Sequence, residues 1–102
     1  MTALRLTHIG GPTVLLELDG WRLLTDPTFD PAGSEYTTPV YTLRKTQSAA
    51  IPAENLGRVD AVLLSHDHHF DNLDRAGRTV LAHAKRVITT PVSAVRCRVR
   101  ST

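Results

Sequence analysis

The chain has 102 residues, of which 12 are Lys or Arg and 10 are Asp or Glu, so its formal net charge is +2. This length suits one small domain, and 41% hydrophobic residues with only 5% aromatic ones predict a modest, aliphatic core. No apolar run approaches the roughly 20 residues of a membrane span, and the N-terminus lacks the apolar stretch of a signal peptide. The single cysteine, Cys97, excludes an internal disulfide, which fits a reducing compartment. Together these features predict a soluble cytoplasmic protein without a membrane span.

The basic residues are unevenly distributed. Arg96, Arg98 and Arg100 lie in the last seven residues, and without them nine basic residues face ten acidic ones. Nucleic-acid-binding proteins usually carry their basic residues as a stripe on a folded face. The distribution therefore excludes nucleic acid as the expected partner and predicts a solvated, disordered basic tail over 93–102, following a domain over 1–92.

Three strands are predicted at the start of the chain. Apolar and polar residues alternate over 4–9, which is the period of a half-buried strand, and a second strand follows at 13–18. Asp19-Gly20 is a strong hairpin signal, because both central residues of such a turn often need positive φ. The third strand, 21–25, ends at Asp26-Pro27, since proline cannot donate a hydrogen bond to a sheet.

Residues 27–57 show little periodicity and hold four of the six prolines. A loop of this length in a small domain is typical of a functional lid or a disordered segment. Within it, Arg44-Lys45 is interpreted as a solvated pair, with an anion-holding role in a lid as the alternative.

The second half of the chain alternates strand and helix. Residues 59–65 are nearly continuously apolar, as in a strand buried on both faces, and 73–84 show helical spacing. A further strand follows at 86–90, closed by Pro91. The order predicts an α/β fold, in which sites commonly lie beyond the carboxyl ends of strands.

A cluster of metal-ligand residue types follows the buried strand directly, in SHDHHFDN at 65–72. Imidazole and carboxylate groups bind zinc, iron and manganese. On an extended backbone, His66 and His68 point to one side and Asp67, His69 and Asp71 to the other, whereas a tight turn would bring His68 and Asp71 together. The spacing leaves these arrangements open and predicts a metal or acid–base site.

Three further residues are weaker candidates. Asp26 ends a strand where α/β folds gather functional side chains, but an aspartate before proline also starts turns. His8, at the end of the first strand, could equally be a structural hydrogen-bonding residue. His83 is expected to face solvent from the predicted helix.

Three stretches together resemble the N-terminal half of metallo-β-lactamase-fold hydrolases, closest to the branch of ascorbate-6-phosphate lactonases and phospholipase-type enzymes. They are THIG at 7–10, VLLELDG at 14–20 running into LTDP at 24–27, and VDAVLLSHDH at 59–68. The resemblance implies part of an αββα sandwich holding one or two zinc ions, with manganese or iron as alternatives. It implies hydrolysis of an ester, lactone or phosphodiester, a small-molecule substrate, through a metal-bound hydroxide.

The same resemblance assigns roles to the cluster. The family motif is H-x-H-x-D-H, and here His66 and His68 match its first two histidines, whereas Asp71 comes one residue late and Asn72 stands near the third histidine. His66 and His68 are taken as ligands, Asp71 as a ligand or a catalytic, water-orienting carboxylate, and His69 as the substitute ligand. The residues placed beside the ligands are Asp26, Asp67, Asn72 and His8.

Two alternatives remain open. The family has further ligands beyond this motif and the chain stops at Thr102, so a truncated form is expected, either active or inactive, with a homo-oligomer covering its exposed apolar face. The other is a manganese phosphoesterase of the DHH type, from Asp67-His68-His69. That family also needs an early D-x-D-G, for which ELDG at 17–20 is only a near match.

Overall fold

A computed structural model of the chain describes residues 3–65 and 73–97. Its first three strands are β1 (Leu4–Gly10), β2 (Thr13–Leu18) and β3 (Trp21–Thr25), paired antiparallel in succession. Asp19 and Gly20 form the β2–β3 turn with φ of 50° and 82°, and Leu18 pairs with Trp21. The predicted hairpin is confirmed, and ELDG at 17–20 therefore forms the end of a strand and a turn.

The segment after β3 contains structure that its sequence pattern did not predict. Strands β4 (Glu35–Thr37) and β5 (Thr42–Arg44) pair antiparallel as a separate hairpin, and a short 3-10 helix spans Ala53–Asn55. Each strand has only three residues, which is too short for a period of two to be recognised. The expectation of a loop without secondary structure over 27–57 is wrong.

The remaining elements are β6 (Ala61–Leu63), α1 (Arg75–His83), β7 (Arg86–Ile88) and α2 (Pro91–Cys97). Both β6 and β7 are parallel to β3, and the five-stranded sheet has the order β1-β2-β3-β6-β7. The predicted α/β class is confirmed. The part of the expected tail that the structure describes, 93–97, belongs to α2, and the division into domain and tail stays a prediction.

The core lies on one face of the sheet. Leu15, Leu24, Val62 and Val87 come from four adjacent strands, and Leu81 of α1 packs in the same cluster. The strand register places a second set of apolar residues on the opposite face, where the exposed members are Leu4, Leu6, Leu18, Trp21 and Ile88. This set is called the open face below.

No helix within residues 3–65 and 73–97 is long and apolar enough to cross a lipid bilayer.

Candidate functional site

The carboxyl ends of four strands meet at one edge of the sheet. Strand β1 is antiparallel to β2 and therefore parallel to β3, and β3, β6 and β7 are parallel to one another. The residues that follow these strands, including the turn at 11–12, Asp26 and Ser65, consequently lie along this edge. Ser65 is the last described residue before the histidine cluster.

Asp26 binds the chain at the point where the cluster begins. The Ser65 backbone N–H donates to Asp26 Oδ1 at 2.7 Å, and the Ser65 hydroxyl donates to Oδ2 at 3.0 Å. The Asp26 backbone N–H donates to the Leu63 carbonyl at 3.0 Å. Asp26 thus fixes the end of β6 through main chain and side chain together.

Two buried threonines hold the turn that contains Asp26. The Thr13 hydroxyl donates to the Asp26 carbonyl at 2.7 Å, and the Thr28 N–H donates back to Thr13 Oγ1 at 3.0 Å. Because the one proton of the Thr13 hydroxyl is used there, the Thr28 hydroxyl is the donor in the 2.6 Å contact between the two side chains. Thr13 is fully buried, so these bonds are shielded from water.

A second polar cluster joins the segment after β3 to the start of α1. Asp74, 1% exposed, caps α1 by accepting from Gly77 N at 2.7 Å and also accepts from the N–H groups of Phe29 (2.9 Å) and Asp30 (2.7 Å). Lys45 Nζ lies 3.2 Å from Asp74 Oδ2. The prediction of a solvated Arg44-Lys45 pair is therefore wrong for Lys45, because it neutralises a buried carboxylate.

Asp30 completes this cluster. It accepts from the Tyr36 hydroxyl at 2.6 Å and from Ala76 N at 2.8 Å. Burial acts to raise the pKa of Asp30, but these hydrogen bonds and the charge of Lys45 outweigh it and hold the pKa below its ordinary value. Burial and the Asp30 carboxylate raise the pKa of Tyr36, so its hydroxyl stays a donor.

A cavity of about 500 Å³ lies beside this cluster. Its lining includes the β1–β2 turn, Thr28, and the segment 43–50, which begins within β5. That segment is held by backbone bonds from Ala50 N to the Ile9 carbonyl (2.8 Å) and from Lys45 N to the Ser34 carbonyl (2.9 Å). His8 also lines the cavity, and its Nε2–H donates to the Gly11 carbonyl at 2.9 Å, since a carbonyl can only accept.

Most of the predicted site residues lie outside the described residues. They are His66, Asp67, His68, His69, Asp71 and Asn72. Of the two that are described, Asp26 stands at the sheet edge and binds Ser65, and His8 makes a structural hydrogen bond at the cavity. His83 is exposed as predicted, with Nδ1 2.8 Å from the Thr79 carbonyl. Within residues 3–65 and 73–97, no three His, Cys, Asp or Glu side chains gather as a metal site would require.

Sequence reasoning missed Asp30 and Asp74. Asp74 carried a signal, because it directly precedes the apolar periodicity of α1, where aspartate is a preferred N-cap. Asp30 carried none, since its partners lie 6 and 46 residues away and only the fold brings them together.

Solved structures share this fold. Isothiocyanate hydrolase from Delia radicum gut bacteria superposes with a TM-score of 0.76 at 24% identity, covering 95% of this chain and 41% of its own. A protein of Veillonella parvula, provisionally described as a metal-dependent hydrolase, gives 0.78 at 18% identity, covering 96% of this chain and 39% of its own. A third, from Parabacteroides distasonis and described in the same way, gives 0.66 at 17% identity, covering 99% of this chain and 37% of its own. The chain has the α/β fold of part of these hydrolases.

Curated relatives match more closely in sequence but are far longer. Uncharacterized proteins of Mycobacterium tuberculosis and Mycobacterium bovis are 41% identical over 78 residues, which is 70% of this chain. The chain spans 18% of the length of these relatives. No family model matches the chain.

Proposed function

We propose that the chain forms part of a metal-dependent hydrolase of the metallo-β-lactamase type, acting on an ester, lactone or phosphodiester. The observation that carries this proposal is the Asp26–Ser65 contact at the carboxyl edge of the sheet, immediately before the histidine cluster. The names of the three structural neighbours support a hydrolase, and two of those names support a metal.

The donor set in the sequence fits a divalent ion. His66, His68 and Asp71, with His69 as substitute, are the neutral nitrogen and anionic oxygen ligands that zinc accepts. Zinc, or alternatively manganese or iron, would supply positive charge to polarise the scissile bond and to acidify water. Proteins commonly hold such ligands in place through neighbouring hydrogen bonds.

Asp26 has this supporting role in the proposal. By accepting from both Ser65 donors, it sets the direction in which the chain leaves β6. Asp71 is proposed as a ligand or as the carboxylate that orients water toward the substrate.

Metal content tests the proposal directly. Elemental analysis of the purified chain should find about one metal ion or more per molecule, and H66A and H68A should each lose it. H83A is the matched control, because His83 is exposed on α1 and should leave the metal content unchanged. If H66A and H68A kept their metal, the assignment of these ligands would be wrong.

Hydrolysis is then assayed on a nitrophenyl ester, a lactone and a phosphodiester, with an isothiocyanate added because one structural neighbour is named for that substrate. Loss of turnover in H68A but not in H83A is the expected pattern. A metal-free chain without turnover would support the inactive alternative. Manganese-dependent cleavage of nucleotides alone would support the DHH alternative, although the ELDG turn gives that alternative no help.

A further inference from the structure

The cavity beside the carboxyl edge of the sheet is lined by apolar side chains and by two positive charges against one negative charge. Ile9, Pro12 and Leu43 supply apolar lining, and the charged lining residues are Arg44, Lys45 and Asp74. Its volume of about 500 Å³ lies within the range of small-molecule sites, roughly 300 to 1,000 Å³.

The negative charge at this cavity is already compensated. Asp74 accepts from three backbone N–H groups and pairs with Lys45, and it is only 1% exposed. A cationic ligand would have to displace these partners from a buried carboxylate, which is unfavourable. Asp74 is therefore a poor counter-ion for a ligand.

The positive charge is not fully compensated. Within the described parts of the chain, the Arg44 guanidinium makes no hydrogen bond or ion pair, although its residue lines the cavity. The Lys45 ammonium has three N–H donors, and its hydrogen bond to Asp74 uses one of them. The lining thus leaves an excess of donors and one excess positive charge beside apolar walls.

We propose that this cavity binds a small organic anion, with Arg44 and Lys45 holding its carboxylate or phosphate group and Ile9 and Leu43 contacting its apolar body. Thr28 joins the cavity to the Asp26 turn through its contact with Thr13. If the proposed function holds, this anion is the substrate or product of the hydrolase, and the cavity selects substrates that carry a negative group.

Binding is tested with three probes of one chain length, namely hexanoate, hexyl phosphate and the neutral hexanamide, at constant ionic strength. Titration is followed by the amide signals of Gly10 and Gly11, which line the cavity, in two-dimensional NMR spectra. Both anions should shift these signals saturably, and comparison of their dissociation constants decides between carboxylate and phosphate. Hexanamide should bind about tenfold more weakly or worse, because it lacks the charge.

Variants locate the charge. R44Q should weaken hexanoate binding about tenfold, whereas R86Q should leave it unchanged, because the exposed Arg86 starts β7 at the opposite edge of the sheet. Equal loss in R44Q and R86Q, equal binding of hexanamide and hexanoate, or no saturable binding of either anion would overturn the proposal.

This readout is independent of the metal. H68A should bind hexanoate as tightly as the unaltered chain, so failure of the metal assignment would not remove an observed anion site. If the chain hydrolyses esters, R44Q should raise KM for an anionic ester and leave KM for a neutral ester unchanged. A parallel rise for both esters would refute the selection of anionic substrates.

Discussion

Asp26 meets two requirements that few other residues could meet together. Its φ is 28°, in the left-handed region that non-glycine residues rarely enter and that Asp and Asn tolerate best. It also presents two acceptor oxygens to the donors of Ser65, which is 39 residues away in the chain. A single side chain thereby links the end of β3 to Ser65, the residue that precedes the proposed metal ligands.

Replacing Asp26 with Asn tests its role, because Asn keeps the backbone preference and loses the carboxylate. We expect D26N to weaken metal binding by about tenfold, through a less well oriented loop. Competition with a chelating dye measures the affinity. D19N is the control, since Asp19 also has positive φ (50°) but lies in the β2–β3 turn at the opposite edge. Equal metal affinity in D26N and the unaltered chain would show that Asp26 only shapes its turn.

Asp30 links the stability of the chain to pH. Its pKa in the folded chain lies below the ordinary value of 3.8, despite burial, because Tyr36 and the backbone of α1 donate to the charged form. A lowered pKa stabilises the fold above the ordinary value, and this contribution is lost as the pH falls through the folded pKa. The free energy of unfolding should therefore drop as the pH falls below about 4.

D30N should make this acid-side loss shallower when urea unfolding is measured across the acid range. It should not abolish the loss, because the Arg22 backbone N–H lowers the pKa of Asp60 in the same direction. E35Q, at an exposed carboxylate nearby, serves as the control. An identical pH slope in D30N and E35Q would contradict the assignment to Asp30.

At the scale of elements, α1 and the turn after β3 pack in direct backbone contact. A Cβ on Gly77 would collide with the Pro27 carbonyl, so this helix position has room only for glycine. The close approach also brings Asp74 to the N–H groups of residues 29 and 30, which anchors the segment after β3.

G77A should therefore lower the free energy of unfolding by about 2 kcal/mol or more, as overpacked sites do. At ordinary positions inside a helix the same replacement is stabilising, because Ala is favoured over Gly by about 1 kcal/mol. G10A is the control, because nothing lies within 4 Å of a Cβ there, and its stability should change by less than about 0.5 kcal/mol. Urea unfolding of the two variants measures the difference, and a G77A chain of unchanged stability would rule out this contact.

The strands and helix with a strong period were predictable from sequence. The predicted strands at 13–18 and 21–25 have the bounds of β2 and β3, and the helix predicted over 73–84 spans Arg75–His83. The difference at its start arises because Asp74 caps the helix and stands outside it. The β4–β5 hairpin was not predictable, since its position depends on tertiary contacts such as the hydrogen bond from Tyr36 to Asp30.

The candidate site was predictable only in composition. The histidine cluster and its place after a buried strand could be identified from residue types and hydrophobic patterning. The Asp26–Ser65 contact could not, because it depends on β3 and β6 pairing in parallel across a long connection. The metal and its ligands stay a prediction, since residues 66–72 lie outside those that the structure describes.

At the scale of the whole molecule, the open face leaves large apolar side chains exposed to solvent. The open face carries Leu6 and Trp21 with 60% and 62% of their surface exposed, and Leu4 and Ile88 with 56% and 42%. Large contiguous apolar patches usually mark surfaces that bind another protein. When the chain is studied alone, a second copy is the available partner, and the open face is expected to pair with itself.

Sedimentation velocity over a range of concentrations tests this expectation. The chain should associate as its concentration rises, because burial of apolar surface contributes roughly 25 cal/mol per Å². L6K should shift the chain toward monomer, since it replaces an exposed apolar side chain of the open face with a charge. V40K is the matched control: Val40 is 86% exposed, but it lies between β4 and β5, which pair with each other and not with the five-stranded sheet. Association that persists in L6K, or that V40K weakens to the same extent, would place the contact elsewhere, and a chain that stays monomeric at every concentration would show that the open face does not bind itself.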